Sequence, residues 1–348
     1  MFNRKKLFIR LQTIWFIIKK ILPSKIVNFL KKNFKHYVIK KLNIKKLSFN
    51  PIDRNIFLNH NFNNYIINFQ KNIDILMVSV FTSDRINILR DVIEESFNTK
   101  LNISWLIVGS TDLDLKFIDS LKIKYPNKIN GFLEKNNPLG KKWQSVIFAS
   151  EGLDYNLLGI TGSDDLIFYK TYENVYKRYK KLNKNSFGSS NIGLYCFNDW
   201  YVLEKNNIIK AQYYNNSFQP VGAGRFYTKQ FLKHIKFELF DVEIDKLLDD
   251  KGFYQIEKNG YYYDLLNTNE DGGFISIKNG PAINSYLAIK NSENILVDNN
   301  KKEHEVIICN NLSKKKRLKY LNFLTIHNDN NDNNDNFITK FQQDEFFY

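Results

Sequence analysis

The sequence predicts an α/β fold with a mixed, mostly parallel sheet flanked by helices. Runs such as "IDILMVSVF" (residues 73–81) and "ISWLIVGST" (103–111) are continuously apolar and rich in β-branched residues, as strands buried on both faces are. They alternate at short intervals with stretches of helical spacing, the pattern of β–α–β units. The chain is also long enough, at 348 residues with 43% hydrophobic content, to bury a substantial core.

An arm comes first. Residues 1–50 hold fourteen Lys and Arg and no Asp or Glu, whereas the whole chain has 51 basic and 36 acidic residues, so the body is almost neutral. Helical spacing puts Leu7, Leu11, Ile14, Trp15, Ile18, Ile21 and Leu22 on one face, with Lys6, Arg10 and Lys20 away from it. Pro23 ends that helix and Ser24 caps the next. Arg10, Gln12, Lys19 and Lys20 interrupt the apolar run well short of the roughly 18 residues that mark a membrane span. No small-residue cleavage site follows, which argues against a signal peptide. Residues 1–70 are therefore read as a basic amphipathic helical arm for an anionic membrane surface, where each basic residue contributes about 1 kcal/mol. Packing on the body or on a second copy is the competing reading. No nucleic-acid partner is expected, because the body carries neither a basic excess nor a known module. The expected location is cytoplasmic, peripheral at the membrane surface. Cys196 and Cys309 show neither metal-ligand spacing nor a disulfide framework.

From residue 71 the elements follow in turn. After the first strand, "RINILRDVIEESF" is helical, "ISWLIVGST" a second strand and "LKFIDSLKIKY" a second helix. "INGFLEK" reads as a third strand, "KKWQSVIFASEG" as a third helix and "YNLLGITG" as a fourth strand. Parallel strands bring their carboxyl ends to one rim, where ligands bind. That rule groups residues 79–84, 109–112 and 162–165. Asp164 and Asp165 close the fourth strand; such carboxylates either cap the following helix or hold a metal ion against a phosphate. "GLYCFNDWYVL" reads as a further strand and hairpin, and "QPVGAGRFYTKQFLKHI" as a tight turn leading into a helix. "LFDVEIDKLLDDKGFY" is an acidic, helix-like segment, ordinarily a solvated face. "KKEHEVIICNNLSKKKRLKYLNFL" suits a last strand and a helix, and "HNDNNDNNDN" is low in complexity and expected to be disordered.

The stretch "NNPLGKKWQSVIFASEGLDYNLLGITGSDD" resembles the core of the family-two, GT-A-fold glycosyltransferases. Their pattern is a Gly- or Asn-rich approach, a basic residue opening a helix, an Ala near its end, and a strand running into Asp-x-Asp or a related acidic motif. Lys142 falls at the helix-opening Arg, Ala149 at the Ala and Asp164 at the last Asp of the motif, and the order of elements agrees over about residues 73–286. Gly162 stands where the family has its first Asp, the basic residue is Lys, and the loop before the fourth strand is longer.

The resemblance implies a GT-A (Rossmann-like) fold and a metal-dependent, inverting glycosyltransferase of hexosyltransferase type. The donor is a nucleoside-diphosphate sugar, most commonly a UDP-sugar, and the acceptor a glycan or a lipid-linked molecule. Mn2+ or Mg2+ is implied at Asp164, with Asp165 as second choice or outer-shell partner. Lys142 is the cation expected beside the leaving diphosphate. The nucleotide falls to Thr82, Asp84 and Asp112. The catalytic base matches Asp245 best, with Asp249 one helical turn away on the same face and Asp241 third. Arg225 is an acceptor-side candidate. Asp199 and Trp200 line the sugar or acceptor site, or are an ordinary strand-end Asp and core Trp. The division expected is an arm (1–70), a GT-A domain (71–290) and a C-terminal extension (291–348). Two other classes remain open: a non-catalytic, membrane-associated GT-A-fold binding protein, and a nucleotidyltransferase.

Overall fold

The computed structural model describes residues 52–57, 69, 71–184, 191–204, 207–213, 221–244, 248–278, 289 and 295–320. The basic arm up to residue 51, the Asn/Asp-rich tail and Asp245 lie outside the described residues.

The apolar run at the start of the body becomes β1 (Ile73–Val80). Alternate side chains go to opposite faces. Ile75 and Met77 join Trp105 and Ile107 in one core, while Leu76 and Val78 join Leu106 and Val108 in the other. This double burial is what the continuous run required. Helix α1 (Ile86–Ser96), strand β2 (Ile103–Gly109), helix α2 (Asp112–Lys124), strand β3 (Ile129–Leu133), helix α3 (Leu139–Ala149) and strand β4 (Tyr155–Ile160) follow as expected. β1 pairs in parallel with β2 and β4, and β2 with β3.

The second half adds β5 (Asp165–Ile167), α4 (Tyr169–Lys184), β6 (Ile192–Phe197), β7 (Asp199–Glu204), β8 (Asn207–Tyr213), β9 (Arg225–Thr228) and α5 (Lys229–His234). It ends with α6 (Leu248–Lys258), β10 (Tyr262–Leu266), β11 (Phe274–Ile277), β12 (Ile295–Asp298), α7 (Lys301–Asn311) and α8 (Lys314–Tyr320). Among the described residues the main sheet has seven strands, ordered β10-β6-β9-β4-β1-β2-β3. Only β9 runs against its neighbours. The architecture is thus the mixed, mostly parallel sheet flanked by helices that the sequence predicts.

A second sheet, ordered β12-β8-β7-β11-β5, was not anticipated. The run read as one strand and hairpin is divided at Asn198. β6 enters the main sheet, β7 the second, and the amides of Val221 and Tyr213 bond the carbonyls of Phe197 and Asn198 at the crossing. The segment "EVIIC", expected as a last strand, is helical within α7, and the strand lies earlier, at β12. Residues 295–320 are built into the body. β12 pairs with β8, and α8 sits against α1 through Lys316, whose ammonium meets Asp91 and, at 2.9 Å, Glu94.

Candidate active site

The rim beyond β1, β2 and β4 gathers the predicted loops. Asp164 lies between β4 and β5, and its carbonyl accepts the amide of Ile277 at 2.8 Å, so β11 fixes the backbone of the acidic pair. Its carboxylate meets Lys278 Nζ at 3.2 Å and Arg85 Nη1 at 3.7 Å. Asp165 stands opposite Ser276 in the β5–β11 pairing and accepts that hydroxyl at 2.6 Å. Its other oxygen covers Gly162, where an added Cβ would come within 2.5 Å of Oδ2. A side chain at Gly162 and the carboxylate of Asp165 compete for one space. Burial first, then the neighbouring Asp164 charge, raise the Asp165 carboxyl to about 6, with Asp249 adding to the effect.

Asp249 opens α6 and pairs with Arg225, a guanidinium that is 1% exposed and also donates from Nε to the Gly222 carbonyl at 2.9 Å. A Cβ at Gly222 would come too close to Asp249 Oδ2, so a side chain there would push that carboxylate aside. Gly224, at φ +64°, makes the tight turn that the glycine pair predicts. The neighbouring Asp250 carboxyl is raised by burial and by the Asp249 charge.

Strand alternation separates Asp199 from Trp200. Trp200 shares its face with Ala211 and packs on Tyr213, ring centroids 5.2 Å apart. The Tyr213 hydroxyl is pushed up to about 12 by burial and by Asp249 and Asp250, so Trp200 reaches the acidic group through that ring. Asp199 faces the other way, held by the Thr268 hydroxyl at 2.6 Å and Lys210 at 3.1 Å. The structure does not bring Asp199 to the site.

On the nucleotide side, Thr82 donates to Asp84, which also pairs with Arg85 at 3.3 Å. Asp112 is exposed in the first turn of α2. Thr111 caps this helix, its hydroxyl accepting the Asp114 amide at 3.3 Å, and Asp114 closes the capping box by accepting the amides of Ser110 at 2.7 Å and Thr111 at 3.0 Å. Lys142 differs from expectation. It is 1% exposed and its ammonium donates to the Phe81 carbonyl at 2.7 Å and the Ser110 hydroxyl at 2.8 Å, tying the loops after β1 and β2 together. Burial pushes its ammonium down to about 8.

Sequence reasoning missed Arg85, Ser276, Lys278, Asp250 and Tyr213. Arg85 had a signal, since it follows Asp84 in a predicted rim loop. Lys278 had none, being 114 positions from its partner.

The residues present do not fit a divalent ion at Asp164. Its carboxylate is already shared by two cations, Gly162 offers no oxygen ligand from a side chain, and Asp165 is engaged with Ser276. No group of three or more His, Cys, Asp and Glu suited to a metal gathers among the described residues. A doubly charged ion against Asp164 would lie beside two positive groups, a repulsion of several kcal/mol each at the effective dielectric of partly buried sites.

No protein-family model and no curated protein matches the chain. Among solved structures it is similar to S. aureus TarS 1-349, at 11% identity and TM-score 0.42, covering 59% of this chain and 60% of that one. The same fragment in complex with UDP-GlcNAc gives 13% identity and TM-score 0.43 over 71% of this chain and 73% of that one. Mannosyltransferase PcManGT from Pyrobaculum calidifontis, in complex with GDP-Man and Mn2+, gives 10% identity and TM-score 0.43 over 74% and 68%. This chain covers 37% of the longer S. aureus TarS structure. No helix among the described residues is long and apolar enough to cross a membrane.

Proposed function

We propose that the protein transfers a sugar from a nucleoside-diphosphate sugar to a hydroxyl of a glycan or lipid-linked acceptor, with inversion. The observation that carries this reading is the convergence at one sheet rim of Asp164 and Asp165, two cations on Asp164, and the Arg225–Asp249 pair. Cations at such a rim suit a diphosphate, and a separate carboxylate suits the proton of an incoming hydroxyl.

In this reading Thr82, Asp84 and Asp112 serve the nucleoside, and Lys142 acts as a positioning residue that braces their loops. The bond from the anomeric carbon to the diphosphate oxygen breaks, and its electron pair leaves with the diphosphate. A bond from the acceptor oxygen to the same carbon forms on the opposite face, and the hydroxyl proton passes to a carboxylate. Asp245 is the proposed base and Asp249 the second candidate, its carboxylate oriented by Arg225. Trp200, 5% exposed and tilted against Tyr213, backs the wall that this ring offers to an acceptor.

Asp245→Asn is expected to lower turnover by about two to four powers of ten with donor affinity nearly unchanged, the usual share of a positioned base. Asp249→Asn is expected to matter less. A severe loss at Asp249 with little at Asp245 would move the base one turn along, and a product of retained configuration would reject single displacement. Release of pyrophosphate from a nucleoside triphosphate, with the nucleoside monophosphate joined to the acceptor, would favour the nucleotidyltransferase.

A further inference from the structure

Lys278 has no place in the motif that suggested the function, yet it occupies the position at Asp164 where that motif implies a metal ion. Its backbone amide bonds the Leu203 carbonyl at 2.8 Å, directly beyond β11, so the side chain starts from a fixed point in the second sheet. That side chain is 8% exposed and its ammonium, with three donors, gives one to Asp164. Arg85 arrives from the loop after β1. Its Nη1 is buried, makes no hydrogen bond among the described residues, and lies 3.7 Å from the same carboxylate. A buried guanidinium donor left without a hydrogen bond is costly unless a ligand completes it. Two cations thus converge on one acidic residue, and among the described residues both retain donors.

We infer that the protein supplies its own cation here: Lys278 and Arg85, gathered on Asp164, take the diphosphate of the donor and stabilise it as it leaves, so that transfer needs no divalent ion. The inference rests on the proposed function and narrows it. The charges agree with it. Asp164 holds the two groups in place before the donor arrives, and the diphosphate supplies the further negative charge that a single carboxylate does not. Gly162 agrees as well, because the position that the family fills with its first Asp is covered by Asp165, which accepts the Ser276 hydroxyl.

The test is calorimetric titration of the full chain with UDP, GDP and dTDP, first in a chelator and then with excess manganese. One of the three is expected to bind in chelator, with manganese changing its affinity by less than about threefold. Lys278→Met is expected to weaken that binding by about tenfold to a hundredfold, the loss of a charged hydrogen bond, and Lys278→Arg to restore most of it. Binding that appears only with manganese would overturn the inference and leave the proposed function standing. Equal binding by Lys278→Met and the unaltered chain would overturn it too. Failure of all three nucleotides in both conditions would remove the inference together with the function.

Discussion

Asp165 is a carboxylate that the fold holds against its own ionisation. Its folded-state carboxyl lies near 6, against 3.8 for the ordinary group. Between those values the folded chain retains a proton that the unfolded chain releases, so stability falls as pH rises through this window and levels off above it. Asp165→Asn should therefore raise the melting temperature by a few degrees at pH 7.5 and change it little at pH 4. Thermal melts at both values check this, and equal shifts at the two would show that Asp165 is not the titrating group. At this scale the sequence was partly legible. The Asp164–Asp165 pair stands out because two adjacent carboxylates at the end of a buried strand have no apolar reason to be there. Lys278 and Ser276 do not, because the contact that matters is made across strands far apart in the chain. Lys142 was legible as the basic residue opening the third helix, but its burial and its partners, a carbonyl and a hydroxyl from two other loops, were not.

At the scale of elements, long periodic segments were readable and short ones were not. β1 to β4 and the helices between them carry clear apolar periods, whereas β5, β9, β11 and β12 have three or four residues each, too few to display a period. In α7, His304, Glu305 and Ile308 are buried while Val306 is 60% exposed, a helical spacing that the short run "EVIIC" conceals. α8 shows how a basic segment becomes structural. Lys316 is 2% exposed between Asp91 and Glu94, and against the effect of burial Lys124 and Lys316 bring the Glu94 carboxyl down to about 2. A depressed carboxyl contributes stability that is complete above its unfolded value near 4.5 and is lost as pH falls toward 2. Lys316→Met removes the buried partner of two carboxylates that keep Lys319 at 2.8 Å and Lys124 at 2.9 Å, and should cost about 1 to 3 kcal/mol. Urea denaturation at pH 7 measures that cost, and the variant should also lose part of the acid-side slope between pH 4.5 and 2. A loss below about 1 kcal/mol, the level of an exposed pair, would show that α8 is not anchored there.

Over the whole molecule, charge is divided between a basic arm and a nearly neutral body, and that division was legible from counting alone. What the arm touches was not, since amphipathic spacing serves a membrane and a protein surface equally well. Residues 52–57 pack on the body: Phe57 meets Phe148 edge-on at 5.3 Å, and Arg54 donates to the Lys236 carbonyl at 2.6 Å. Deleting residues 1–46 should leave these contacts and the rim unchanged while abolishing sedimentation with anionic vesicles. Unchanged sedimentation would assign the arm to protein packing. The central claim concerns the rim itself, and the most direct measurement is incubation of the full chain with a panel of UDP-, GDP- and dTDP-sugars, following nucleoside diphosphate release. Slow hydrolysis of one donor, lost in Asp164→Ala, is the predicted result; no release from any donor, or release that survives Asp164→Ala unchanged, would contradict it.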